Sequence, residues 1–104
     1  MAAYFRLDRY VANVLMRDLV AHDRRPAAFL VYFFLAAEGS DTHRRTTSGK
    51  VSMSLADIAD RTGLSKRAVQ LALAHLRRRH LIRSVQAHPT ATPVHVVAQP
   101  WRAR

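Results

Sequence analysis

The chain has 104 residues, 49% of them hydrophobic, and no cysteine. A domain of this size buries roughly 60–70% of its unfolded surface, enough for one core and too little for two. Without cysteine there is no disulfide scaffold, thiol nucleophile or zinc finger, a composition that fits a reducing cytoplasm.

Lys and Arg number 17 against 7 Asp and Glu, a net charge of +10. Such a field draws polyanions, with nucleic acid the first candidate and an anionic membrane surface the second. Only Lys50 and Lys66 are lysines, so arginine-rich codon usage is a competing source of the excess. Arg6, Asp8 and Arg9 interrupt the N-terminus, which is not expected to be a signal peptide.

Leu7, Val11, Val14, Leu15 and Leu19 recur near helical spacing, with Arg9, Asn13, Arg17 and Asp18 largely elsewhere on the wheel. The pattern predicts a helix from about Arg9 to Val20, with Tyr4–Leu7 a short strand or an extended arm. Asp23-Arg24-Arg25 is a break, and Pro26 suits the first position of the next helix, where a missing N–H is harmless. That helix runs to about Glu38. It contains the longest apolar run, Ala27–Ala37, too short for a bilayer span of about 20 residues. Being apolar nearly all round, it must be covered on most sides, by the N-terminal helix or by a partner subunit. Residues 39–50 are polar and aperiodic and read as an exposed loop; Val51–Met53 reads as a short strand.

Ser54 is placed to cap a helix, with Asp57 a weak capping-box partner. Leu55, Ile58, Ala59 and Thr62 mark its interior. Gly63 stands where that helix must end in a left-handed conformation. Ser65 caps a further helix, about 65–79, whose buried stripe is Val69, Leu73 and Leu76. Ile82–Gln86 and Val94–Ala98 pair as strands around a tip bracketed by Pro89 and Pro93. Trp101 in the basic tail is expected to pack over the edge of the core rather than stack on a base or enter lipid.

Ala59, Gly63 and Val69 stand at the relative positions favoured by the bacterial helix-turn-helix pattern. The continuation Leu76-Arg77-Arg78-Arg79-His80-Leu81-Ile82 resembles the end of the recognition helix in winged helix-turn-helix regulators, with His80 in place of the usual glycine. The resemblance spans 51–97, just under half of the chain. It implies a mainly α fold with a small β-wing: a three-helix core, 26–98, and a two- or three-stranded antiparallel wing. Residues 1–25 become an N-terminal helical extension of the kind that builds dimers in several such families, and 99–104 a tail, all in one domain. Residues 5–38 also loosely resemble the lead-in of phage and plasmid replication initiators.

The implied function is sequence-specific binding of double-stranded DNA by a cytoplasmic transcription regulator acting as a homodimer. The alternatives are a plasmid or phage replication-initiator or partition domain, and a winged helix used only for protein contacts. Lys66, Arg67 and Gln70 lie opposite the buried stripe, where arginine reaches guanine and glutamine adenine; the plain alternative is a solvated face. Ser65 is a cap that also touches a phosphate. Arg77, Arg78 and Arg79 are candidates for phosphates, although cations at a helix C-terminus are stabilising in themselves. Arg83, His88 and Thr90 on the wing are candidates for backbone or minor-groove contact, and Arg44, Arg45 and Lys50 for a second patch.

No enzyme is expected, because the chain has neither a glycine-rich phosphate loop nor a nucleophile elbow. No metal or cofactor is expected either: the six histidines, at 22, 43, 75, 80, 88 and 95, show no zinc spacing. His75 and His80 are positioned to make the charge of the recognition helix depend on pH. No ligand-sensing segment is evident, and no membrane partner is expected.

Overall fold

Pro26 opens the helix on which the other elements are assembled. The computed structural model describes residues 4–39 and 49–102. Helix α1 spans Pro26–Gly39, and strand β1 Lys50–Ser52. Helices α2, Leu55–Thr62, and α3, Lys66–Arg78, follow. Strands β2, Ile82–Val85, and β3, Val94–Val97, come next, and a 3-10 turn over Pro100–Arg102 closes the chain. The architecture is mainly helical with a small three-stranded antiparallel sheet of order β1-β3-β2. No helix among the described residues is long and apolar enough to cross a membrane. The expected patch at Arg44 and Arg45 lies outside the described residues; its third member, Lys50, opens β1.

A helical segment precedes α1 over residues 9–22, two residues beyond the expected end. Asp8 starts it, its carboxylate accepting the Tyr10 N–H at 2.9 Å. The segment is wound as π-helix over Val11–Leu15 and Asp18–His22, so N–H groups reach back five residues, as Asp23 does to Asp18. This winding corrects the expected stripe. With more residues in each turn, Val11, Leu15 and Leu19 line up in the core at a spacing of four, and Val14 is carried out to solvent. Residues 4–8 form no strand; they are an extended arm that sets Phe5 edge-on against Phe33, ring centroids 5.7 Å apart.

Helix α1 buries Ala28, Val31, Tyr32 and Leu35, against the N-terminal helix, α3 and the sheet. Its cover is incomplete, since Leu30 and Phe33 stay exposed. Tyr32 is fully buried and spends its hydroxyl on the Ala98 carbonyl, 2.9 Å away, fixing the end of β3 to α1. Gly39 ends α1 where its carbonyl accepts the Gly49 N–H at 3.2 Å. A Cβ on Gly39 would lie 2.8 Å from the Gly49 Cα, so only glycine permits this approach. Leu15, Leu19, Ile58, Val69, Leu76, Leu81 and Ile82 complete the core, each such side chain contributing about 1.5–3 kcal/mol on burial.

In the sheet, β3 is central and antiparallel to both neighbours, with His95 opposite Val51 on one side and Ser84 on the other. Strand β1 begins at Lys50, one residue earlier than expected. Beyond β3, Trp101 packs on the core edge as expected. It stacks on Tyr10 at 4.4 Å between centroids, and its indole N–H donates to Asp8 at 3.1 Å.

Candidate nucleic-acid interface

Two caps and one left-handed glycine set the direction of α3. Ser54 Oγ accepts the Asp57 N–H at 3.1 Å, starting α2. Gly63 ends it at φ 80°, a region that costs a residue with a Cβ. Ser65 Oγ then accepts the Ala68 N–H at 3.0 Å, so this serine is the cap expected of it. With Val69, Ala72, Leu73 and Leu76 buried, helical geometry turns Lys66, Arg67 and Gln70 outward. The Arg67 guanidinium reaches the Gln70 amide oxygen, one turn on, at 3.5 Å.

Lys66 and Arg67 also break a local rule. The first turn of α3 has no acidic residue, and cations there oppose the helix dipole at a cost of about 0.3–1 kcal/mol each. Leu71 lies on the same outward side, 44% exposed. Sequence reading missed it, because an apolar residue next to a buried stripe looks like part of that stripe.

The end of α3 sorts its arginines. His80 takes the left-handed conformation, φ 59°, at the position where glycine is usual. The His80 N–H returns to the Arg77 carbonyl at 3.0 Å and the Leu81 N–H to Leu76 at 2.9 Å, the two-bond closure known as a Schellman motif. Arg77 donates to Ser84 Oγ at 3.1 Å, and Arg78 lies 3.5 Å from His75 Nδ1. Arg79 is diverted from the expected phosphate role. It turns back to the N-terminal helix and pairs with Asp18 and, at 2.9 Å, with Asp23.

Asp23 anchors this end of the molecule, and sequence reading missed it as well. Its side chain is 7% exposed and also meets His75 Nε2 at 2.7 Å and His22 Nδ1 at 2.8 Å. Burial by itself raises the Asp23 carboxyl, but the bonds from His22 and His75 and the Arg79 charge outweigh it and hold the group below the ordinary carboxylate range. His75 is therefore tied inward to an acid. Asp18, His22 and Asp23 bring ligand-type atoms within 4.8 Å of one another, the arrangement nearest to a metal site among the described residues. The Arg79 guanidinium already neutralises both carboxylates.

Of the other described acids, Glu38 faces Arg61 at 3.6 Å and Asp8 faces Arg102 at 3.9 Å, while Asp57 and Asp60 of α2 form no ion pair. Among the described residues, Lys66, Arg67, Arg77, Arg78 and Arg83 have no ion pair, nor do Arg6, Arg9, Arg17, Arg24 and Arg25 on the N-terminal side.

Arg83 extends from β2, exposed, opposite Val96 of β3. Arg77, His80, Arg83 and Ser84 line one concavity, which joins the end of α3 to the sheet. His88 and Thr90 are at the exposed tip between β2 and β3, His88 Nδ1 lying 3.1 Å from Thr90 Oγ1. Gln86 braces that tip through bonds from its amide to the carbonyls of Pro89, at 3.1 Å, and Ala91, at 2.6 Å. The expected residues thus fall into three groups, Ser65, Lys66, Arg67 and Gln70 on the first turns of α3, Arg77 with Arg83 in the concavity, and His88 with Thr90 at the tip, while Arg78 stands outside all three, beside His75. No protein-family model, curated protein or solved structure matches this chain.

Proposed function

We propose that the protein is a winged helix-turn-helix transcription regulator that binds double-stranded DNA with α3 in the major groove. The observation that carries this reading is the exposed, unpaired cationic face formed by α3 and β2. Lys66, Arg67, Arg77, Arg78 and Arg83 lie exposed on the first turns of α3, at its end and on β2 without an acid partner among the described residues, whereas Arg61, Arg79 and Arg102 are paired with carboxylates; Arg6, Arg9, Arg17, Arg24 and Arg25, on the N-terminal side, are unpaired as well. Cations at the start of α3 weaken the helix, so their presence there is understandable if a polyanion pays them back. Arg67 and Gln70 read base edges, Lys66 and the capping Ser65 meet the backbone, and Arg77, Arg78 and Arg83 hold phosphates that set the register. The β2–β3 hairpin is the wing, bringing His88 and Thr90 to an adjacent groove. The protein acts as a cytoplasmic homodimer. Leu30 and Phe33 of α1 and Val14 and Val20 of the N-terminal helix, all exposed apolar groups, support a second copy.

Selection of binding sites from random duplex DNA tests the reading. Arg67→Ala is expected to relax one base position by about 1–3 kcal/mol, and Arg83→Ala to weaken all sequences alike. A palindrome with half-sites about one helical turn apart supports the homodimer. Clustered direct repeats would instead favour an origin-binding role. If neither substitution changes affinity for the selected site, the docking is wrong; an affinity that ignores salt would mean the fold serves protein contacts.

A further inference from the structure

We propose that Ser84 and His95 are positioning residues, which hold the Arg77 guanidinium between the end of α3 and β2 as a prearranged contact for a nucleic-acid phosphate. The inference rests on the DNA reading for its ligand, and on three linked groups for its geometry. Arg77 Nη1 donates to Ser84 Oγ at 3.1 Å, and Ser84 Oγ lies 2.8 Å from His95 Nδ1. Ser84 and His95 are direct partners across β2 and β3, so the backbone register itself brings them together. A guanidinium only donates, which fixes the direction of the first link. Its remaining N–H groups belong to an exposed side chain with no acid partner among the described residues.

His95 is the informative member. It is 3% exposed, the one buried polar side chain among the described core residues, and its Nε2 has no hydrogen-bond partner. A buried polar atom left unpaired costs free energy that a valine there would not incur, and valines stand at 94, 96 and 97 of the same strand. The single side-chain bond His95 makes goes to Ser84. Burial first, and the nearby Arg77 charge second, push the imidazole below its ordinary range and keep it neutral, so it adds no repulsion at the guanidinium.

The consequence is preorganisation. A long arginine side chain normally loses rotamer freedom when it meets a phosphate, and one already restrained loses less. The same tie couples α3 to the hairpin across the concavity that also holds Arg83.

The test is a double-mutant cycle, with binding measured on a 20-base-pair duplex of arbitrary sequence, since a phosphate contact is blind to sequence. Ser84→Ala is expected to raise Kd roughly 3- to 10-fold, Ser84→Thr to retain wild-type affinity, and Ser84→Ala in an Arg77→Ala background to cost nothing further. A packing defect would persist in that background. Without DNA, the heteronuclear NOE of the Arg77 Nε–H group is expected to be high in the wild type and to fall in Ser84→Ala. Failure of the wild-type protein to bind the duplex overturns the DNA reading and the phosphate role together. Wild-type binding with no loss in Ser84→Ala, a loss undiminished without Arg77, or an unchanged NOE overturns the positioning role and leaves the DNA reading standing.

Discussion

Arg77, Arg78 and Arg79 are consecutive in the chain and have three different partners: Ser84, His75 and the Asp18–Asp23 pair. In sequence they are one basic run. A helix rotates each by about 100° from the last, and what each meets depends on elements far away in the chain. That is why Asp23 was not legible: its partners His75 and Arg79 are 52 and 56 residues distant. Asp23→Ala strips the acceptor from both and is expected to cost roughly 2–3 kcal/mol, below the value for a fully buried pair because Arg79 is 33% exposed. Asp23→Asn, which keeps some of the hydrogen bonds, should cost less; urea denaturation of the three proteins checks the order. His95 gives a pH dependence. Its folded pKa lies below the ordinary 6.5, so its contribution is complete above pH 6.5 and is lost as pH falls from there through the folded value. Tm is expected to drop between pH 7 and pH 5, and His95→Asn to flatten that slope. His22, raised by its bond to Asp23, works in the opposite sense, lending stability below pH 6.5 that is lost as pH rises through its folded value. It is exposed, and its effect is correspondingly screened.

Elements were legible where local chemistry decides them. Ser54, Ser65, Gly63 and Pro26 each do in the structure what their residue type favours, and the stripe of α3 needed only helical periodicity. The N-terminal helix was legible in extent but not in winding, since nothing in the side-chain pattern separates a π-turn from an α-turn. The pairing of β1 with β3 rather than β2 was likewise set by tertiary packing, with a strand too short to carry its own signal. The two left-handed helix ends offer a paired prediction. Nothing lies within 4 Å of a Cβ placed on Gly63, so Gly63→Ala is penalised through its backbone alone, by about 1–2 kcal/mol. His80 already bears that strain at φ 59°. His80→Gly is therefore expected to stabilise, by about 1 kcal/mol or somewhat less, because glycine also gains entropy when unfolded. Thermal melts of the two variants should shift in opposite directions.

At the scale of the whole molecule, the net charge of +10 says less than its distribution. Codon usage can supply arginines, but it does not choose which of them receive an acid partner. The fold gives Arg61, Arg79 and Arg102 carboxylates on the N-terminal helix, its arm and α1, and leaves Arg77, Arg78 and Arg83 without any among the described residues, as it does Arg67 and, on the N-terminal side, Arg6, Arg9, Arg17, Arg24 and Arg25. If Arg77, Arg78 and Arg83 hold phosphates, each releases counterions on binding and adds about −0.9 to the slope of log affinity against log salt concentration. With Lys66, which also meets the backbone, one protomer should then give a slope of about −3.6 and a homodimer on a palindrome roughly twice that, with Arg83→Ala lowering its magnitude by about 0.9 for each protomer bound. Arg79→Ala should leave the slope unchanged while lowering Tm, because that arginine is occupied by Asp18 and Asp23. Fluorescence anisotropy from 50 to 200 mM salt separates the two behaviours. Equal slopes for Arg83→Ala and wild type would mean that the unpaired cations are merely solvated, leaving the charge of this protein a trait of its genome.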